Sequence, residues 1–181
     1  GDCVCERANE GPCNGRCVDI QRDPNNCGGC GEVCENADAY CVAGNCTCYA
    51  FADDFEAGLE ALAWQATDWV VQDGVAQSNN LGRHSSTATL RLEWEVGAGT
   101  LSFRRRVSSE SCCDKLGFFL NGQLMGDEEG GEVAWGQREF RIAAGRHVFE
   151  WRYRKDGSVN TGDDRAFLDD LSYLPDENGC E

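Results

Sequence analysis

Hydrophobic and polar residues alternate over most of the chain from Phe51 onward. The segment TLRLEWEV at 89–96 places Leu90 and Leu92 on one face, and HVFEWRYR at 147–154 does the same with Trp151. A period of two is typical of β-strands that bury one face. The other predicted strands are Trp69–Ser78, 99–109, Lys115–Gln123, Glu132–Ala143 and Arg165–Leu174, with a short helix predicted at Gly58–Trp64.

This pattern amounts to about eight strands, separated by turns that contain glycine, such as Asn121-Gly122. Strands that each bury one face are satisfied when two antiparallel sheets pack against each other. We therefore predict an all-β fold, an antiparallel jelly-roll β-sandwich at 51–181 that follows a small disulfide-rich N-terminal domain at 1–50.

The first fifty residues follow a different pattern, because they contain few large aliphatic side chains but ten of the thirteen cysteines. A segment this short and polar cannot bury a sufficient core, so cross-links must stabilise it. Ten cysteines are compatible with five disulfides, whose connectivity the sequence does not reveal. The alternative is zinc, because Cys27-Gly-Gly-Cys30 has the spacing of zinc ligands. The density of cysteine favours disulfides.

Two of the remaining cysteines, Cys112 and Cys113, are adjacent in the stretch SESCCDKL. A bond between neighbours forces a strained turn, because bridged α-carbons are normally farther apart. The alternative is that each bonds a different partner. We favour the vicinal disulfide, since it needs no partner from the N-terminal segment and leaves that segment with an even number. Cys180 is then the odd cysteine, either free or bonded to another chain.

The net charge and the cysteine content restrict the kinds of partner that the protein can have and the cellular location that it can occupy. A net charge of −16 disfavours nucleic acid, and no apolar run is long enough for a membrane span. Disulfides at this density persist in an oxidising compartment, which predicts an extracellular or cell-surface protein. The start Gly1-Asp2-Cys3, without Met, fits removal of a signal peptide.

Two separate parts of the sequence resemble two different kinds of known protein. CVDIQRDPNNCGGCGEVC and YCVAGNCTC resemble the cysteine-rich segments of secreted myxobacterial proteins. ADDFEAG, WVVQDGVAQS, SSESCCDKLGFFLNG, GRHVFEWRYRKDGSV and AFLDDLSYLP resemble jelly-roll domains of the MAM and gingipain cleaved-adhesin type. The second resemblance implies adhesion or ligand binding rather than catalysis.

The second resemblance also implies a structural calcium site at Asp54, Glu56 and Asp169, with Asp53 and Asp170 as further candidates. The first and last strands of a jelly roll are commonly neighbours, so these acids would meet across the sheet. Several carboxylates close together repel one another unless a cation neutralises them, and calcium accepts six to eight oxygens. The alternative is that these acids are simply exposed at two strand ends.

Catalytic motifs are missing from the sequence, which has two histidines and neither G-x-S-x-G nor HExxH. We therefore expect that the protein is not an enzyme. Two functions remain. The first is a calcium-stabilised structural or adhesive protein that assembles with copies of itself into a surface fibre. The second is a secreted carbohydrate-binding module, which would place at least two aromatic side chains on an exposed face, with Trp64 and Trp135 as the ambiguous candidates.

Overall fold

The structure, a computed structural model, describes residues 5, 7–21, 23–34, 39–42, 44–48 and 51–176. The chain forms two compact units. The second unit is Phe51–Tyr173, and the described residues before Phe51 and after Tyr173 belong to the first. No helix in the described part of the chain has the length and apolar character needed to cross a membrane.

The first unit consists of two antiparallel hairpins. Its strands are β1 (Glu10–Cys13), β2 (Arg16–Asp19), β3 (Ala39–Val42) and β4 (Asn45–Cys48). Four disulfides join the pairs 5–17, 13–30, 27–41 and 34–46. Because Cys27 and Cys30 each bond a different cysteine, neither offers a thiolate to zinc. Cys3, Cys180 and the side chain of Cys48 lie outside the described residues.

The buried cluster of the first unit is made of cysteines. Cys27, Cys34 and Cys41 form it, each less than a tenth exposed. Close backbone approach helps to pack the unit, because Gly28 and Gly44 lie against each other with φ of 82° and 79°. A Cβ atom on Gly28 would lie 2.6 Å from the carbonyl oxygen of Gly44. Covalent bonds and glycine contacts take the place of a side-chain core here.

The second unit is a sandwich of a six-stranded and a five-stranded sheet. Its strands are β5 (Phe51–Asp53), β6 (Gln65–Thr67), β7 (Trp69–Gln72), β8 (Val75–Ser78), β9 (Thr87–Val96), β10 (Gly99–Ser108), β11 (Lys115–Leu120), β12 (Gln123–Leu124), β13 (Glu132–Ile142), β14 (Gly145–Arg154) and β15 (Arg165–Pro175). One sheet has the order β13-β10-β15-β8-β7, with β5 also paired to β15, and the other has the order β12-β11-β14-β9-β6. The paired strands of both sheets are antiparallel.

The core lies between the two sheets. Phe103 of β10 packs edge-on against Trp151 of β14, with ring centroids 5.3 Å apart. Leu90, Leu92 and Trp151 are completely buried, as the alternation in their strands predicts. The antiparallel jelly-roll sandwich with a disulfide-rich N-terminal region is thus confirmed.

Three predicted elements differ from the structure. The predicted strand Lys115–Gln123 ends at Leu120, because Asn121 and Gly122 both adopt positive φ, 52° and 80°, and form a turn that leads into β12. Trp69–Ser78 is two strands instead of one, because Asp73 and Gly74 both adopt positive φ, 53° and 72°, and form a tight turn. The predicted helix at Gly58–Trp64 is a 3₁₀ turn at Gly58–Glu60 only. It has no side-chain N-cap to extend it.

Candidate functional site

The acids predicted to bind calcium lie around the pairing of β5 with β15, where Asp53 faces Leu171. Asp53 is 5% exposed, and its two oxygens accept hydrogen bonds from the Phe55 amide (2.8 Å) and the Trp64 indole (2.7 Å). Each of these oxygens retains a second lone pair. This arrangement also gives Trp64 a structural role, since its indole nitrogen is held by a buried carboxylate.

The other predicted calcium ligands differ from one another in the groups that they contact. Asp54 accepts a hydrogen bond from the Glu56 amide at 3.2 Å, and Asp170 forms an ion pair with Arg104 at 3.2 Å. Burial, followed by the nearby charges of Asp170 and Asp54, raises the pKa of Asp169 above its ordinary value. The charges of Asp170 and Asp54 thus add to the effect of burial on the pKa of Asp169, while the charge of Arg104 opposes it. Within the described residues, the groups of three ligand atoms within 4.8 Å lie elsewhere, so calcium at this location stays a prediction.

A groove with two aromatic rings lies on the solvent face of the six-stranded sheet. Trp135 of β13 and Phe167 of β15 have ring centroids 6.3 Å apart, and Trp135 is 37% exposed. The two strands flank β10, whose Arg104 and Arg106 lie over the two rings, 5.3 Å from the Trp135 centroid and 4.6 Å from the Phe167 centroid. The groove has a volume of about 270 Å³, and its lining is Gln72, Asp73, Val75, Gln77, Arg106, Trp135 and Phe167. We call it the aromatic groove.

Strand pairing positions the polar side of the aromatic groove. Phe167 pairs with Gln77 across β15 and β8, so both side chains project from the same face, while the neighbouring pair of Leu168 and Ala76 is buried on the other. The Gln77 amide donates to the Gln72 side-chain oxygen at 2.8 Å. Arg106 also pairs with Asp163 at 2.6 Å, which holds its guanidinium between a ring and a carboxylate.

A second cavity, of about 470 Å³, opens beside the adjacent cysteines. Cys112 and Cys113 are bonded to each other, with their α-carbons 3.7 Å apart. Lys155, 3% exposed, donates to both carboxylate oxygens of Asp164 and, at 2.7 Å, to the side-chain oxygen of Asn160. The remaining lining residues are Lys115, Glu128, Arg154 and Asp156.

Three carboxylates meet next to this cavity. Glu110, Asp114 and Asp156 each offer an oxygen, and these oxygens all lie within 4.8 Å of one another. Asp114 is completely buried and accepts a hydrogen bond from the Asp156 amide at 2.9 Å. Burial raises the pKa of Glu110, and the charges of Asp156 and Asp114 add to the shift. We call these three residues the acid cluster.

Sequence reasoning missed both Phe167 and the acid cluster. The acids between Lys155 and Asp164 do not follow EF-hand spacing, so the sequence of this segment favours a turn-rich loop. Asp114 and Asp156 lie at the same end of the sheet because Lys115 pairs with Arg154 across β11 and β14. Nothing local in the sequence identifies that pairing, because the partners are 39 residues apart.

Comparison with known proteins supports the fold. No protein-family model matches the chain, and neither does any curated protein. Among solved structures, it is similar to the secreted serine protease VesC from Vibrio cholerae (24% identity, TM-score 0.52), covering 62% of this chain and 24% of that one. The chain therefore spans about a quarter of the length of VesC.

Two further matches are cleaved adhesin domains of Lys-gingipain from Porphyromonas gingivalis W83. The K1 domain has 13% identity and a TM-score of 0.52, over 70% of this chain and 98% of that one. The K3 domain has 15% identity and a TM-score of 0.51, over 70% and 99%. At these identities the similarity shows a shared fold, which is the fold that the cleaved-adhesin resemblance implies.

Proposed function

We propose that the sandwich is an extracellular binding domain that binds carbohydrate through the aromatic groove. The observation that carries this proposal is the pair of the exposed Trp135 and the half-buried Phe167, which share a concave, polar-edged surface. The five disulfides among the described residues support an oxidising, extracellular location.

The chemistry of the aromatic groove matches that of a sugar ring. A pyranose has apolar C–H faces that pack on aromatic rings, and hydroxyl edges that need donors and acceptors. Trp135 and Phe167 supply the apolar surface, while Gln72 and Gln77 supply amide groups beside it. Large aromatic side chains left exposed on a sheet face are typical of interaction sites.

The groove is also preorganised. Each guanidinium is held by a ring on one side and a carboxylate on the other, Arg104 by Asp170 and Arg106 by Asp163. Donors that are fixed before binding cost less conformational entropy when a ligand arrives.

Affinity electrophoresis with a panel of soluble neutral and uronic-acid polysaccharides tests the proposal. We expect at least one polysaccharide to retard the protein, and Trp135→Ala to weaken that binding by about tenfold or more, as for a central aromatic anchor. Leu124→Ala is the matched control, since Leu124 is 38% exposed and lies on the other sheet. Absence of retardation across the panel, or equal retardation of the Trp135→Ala variant, would overturn the proposal.

We also propose that calcium binds at Asp54, Glu56 and Asp169, with Asp53 and Asp170 near the ion. The pairing of β5 with β15 supports this, because it brings the strand that contains Asp53 beside the strand that contains Asp169 and Asp170. The charges of Asp170 and Asp54 also contribute, after burial, to the raised pKa of Asp169. The ion would stabilise the junction of the first and last strands of the sandwich.

Assembly into an adhesive fibre is the other proposed function. The cleaved adhesin domains share the fold, which motivates it. The fibre would use residues 1–2 and 178–181 for its contacts, and these residues lie outside the described part of the chain. Light scattering across a dilution series tests it, and a monomer of about 20 kDa at every concentration would remove it while leaving carbohydrate binding intact.

A further inference from the structure

The acid cluster contains carboxylate oxygens that have no partner in the protein. The Oδ2 atom of Asp114 and the Oε1 atom of Glu110 are both buried and neither accepts a hydrogen bond. Asp114 itself is 0% exposed. An unpaired buried carboxylate oxygen is costly, so its position implies a partner that the chain does not supply.

Lys155 does not supply that partner. Its ammonium carries three protons, and its three acceptors are the two oxygens of Asp164 and the side-chain oxygen of Asn160. The Oδ2 atom of Asp114 lies 3.8 Å away, beyond hydrogen-bond distance. The Oδ2 atom of Asp114 is therefore left without a hydrogen bond from Lys155.

The spacing of the acid cluster suits one ion. Calcium binds oxygens at about 2.3–2.6 Å, so two oxygens on opposite sides of it are about 5 Å apart. The three carboxylates fall within this limit, because their oxygens lie within 4.8 Å of one another. The ligands are all oxygens, which favours a hard cation, and calcium tolerates an irregular site better than magnesium does.

We propose that Glu110, Asp114 and Asp156 bind a calcium ion, at a site separate from the one predicted around Asp54. The ion is the partner of the two unpaired oxygens, and water completes its coordination from the adjoining cavity. Binding joins the loop before β11 to the loop after β14, which places the ion across one end of the five-stranded sheet.

The proposal gives the adjacent cysteines a role. The bond between Cys112 and Cys113 lies inside the short segment that begins at Glu110 and ends at Asp114. It restricts the turn that presents two of the three ligands, so less entropy is lost when the ion binds. Cys112 and Cys113 are positioning residues here, because their sulfurs are bonded to each other.

Calorimetric titration of calcium into the chelator-treated full chain tests the site. Glu110→Gln and Asp156→Asn keep the side-chain shapes but remove a charge, and we expect each to lose one equivalent of bound calcium. The matched controls are Glu60→Gln and Asp127→Asn, which alter exposed acids outside the cluster and should bind as the wild type does. Asp54→Asn should retain the acid-cluster equivalent. Circular dichroism checks that each variant is folded.

The results of this titration distinguish the acid cluster from the calcium site predicted around Asp54. If folded Glu110→Gln and Asp156→Asn variants bind the same number of ions as the wild type, the acid cluster is not a calcium site. The same holds if the wild type binds no calcium. For the positioning role, the double variant Cys112→Ser/Cys113→Ser should keep the equivalent but bind it about tenfold more weakly. Unchanged affinity would refute that role.

Discussion

The two units of this chain reach a stable fold by opposite means. In the first unit the most buried side chains include Cys27, Cys34 and Cys41, and each is bonded to another cysteine. In the sandwich most of the buried side chains are aliphatic or aromatic, such as Leu92 and Trp151. A segment of about fifty residues gains little from burial, whereas two facing sheets gain most of their stability from it.

Disulfide bonds also have different effects in the two units. The four disulfides of the first unit close loops with sequence separations of 12 to 17 residues, so they restrict the unfolded chain. The bond between Cys112 and Cys113 has a separation of 1 and closes no loop. It can only shape a local turn, which suits a ligand-presenting role and not a global cross-link.

The largest expected effect follows from removing a cross-link in the first unit. We expect Cys13→Ser/Cys30→Ser to cost about 2–5 kcal/mol and to unfold that unit, because no side-chain core replaces the bond. Hydrogen exchange resolved by peptide would show lost protection before Phe51 and native protection in the sandwich. The double variant of Cys112 and Cys113 is the control, and global unfolding in it would contradict the comparison.

The converse experiment removes core volume from the sandwich. Leu92 is completely buried in β9, so Leu92→Ala should destabilise the sandwich by about 2–5 kcal/mol through lost burial and a residual cavity. Thermal unfolding followed by tryptophan fluorescence measures this effect, since all five tryptophans lie after residue 50. Val33→Ala, at an exposed position of the first unit, should leave the fluorescence transition unchanged. A large shift there would show that the two units do not behave separately.

The alternation of residues predicted most of this architecture, because strands that bury one face show it locally. The split of Trp69–Ser78 was also encoded, in the Asp73-Gly74 turn, and was missed because the apolar run continues across it. The aromatic groove was not predictable in the same way. Trp135 and Phe167 lie together only because β13, β10 and β15 are neighbours, and local sequence does not determine strand order.

A calcium ion bound to the sandwich would join separate parts of the chain, as the disulfides of the first unit do. Both proposed calcium sites lie in the sandwich. Calcium at one hundred times its dissociation constant stabilises a folded site by about 2.7 kcal/mol, so chelation should lower the unfolding temperature of the sandwich. Asp54→Asn and Asp169→Asn should each reduce the shift. Superimposable melting curves in chelator and in millimolar calcium would contradict both proposed calcium sites.

The smallest expected effect concerns an exposed ion pair. The hydrogen bond that Arg146 donates to Glu93, at 2.7 Å, is the main reason that the pKa of Glu93 is held below its ordinary value. Folding therefore favours the ionised form, so this contribution is present above the unfolded pKa and is lost as pH falls through the folded pKa. Carbon-detected NMR titration should show the pKa of Glu93 rising in Arg146→Met. Arg16→Met, in the first unit, should leave it unchanged, and an unaltered pKa in Arg146→Met would contradict the assignment.

The central claim, that the aromatic groove binds carbohydrate, is tested most directly by NMR. Amide and indole spectra of the labelled full chain would be recorded while an oligosaccharide from the best-binding polysaccharide is added. We predict the largest shifts at the Trp135 indole and at the amides around Phe167 and Gln77, with little change at the buried Trp151. Shifts that instead cluster around Cys112 and Cys113, or no shifts at saturating oligosaccharide, would contradict it.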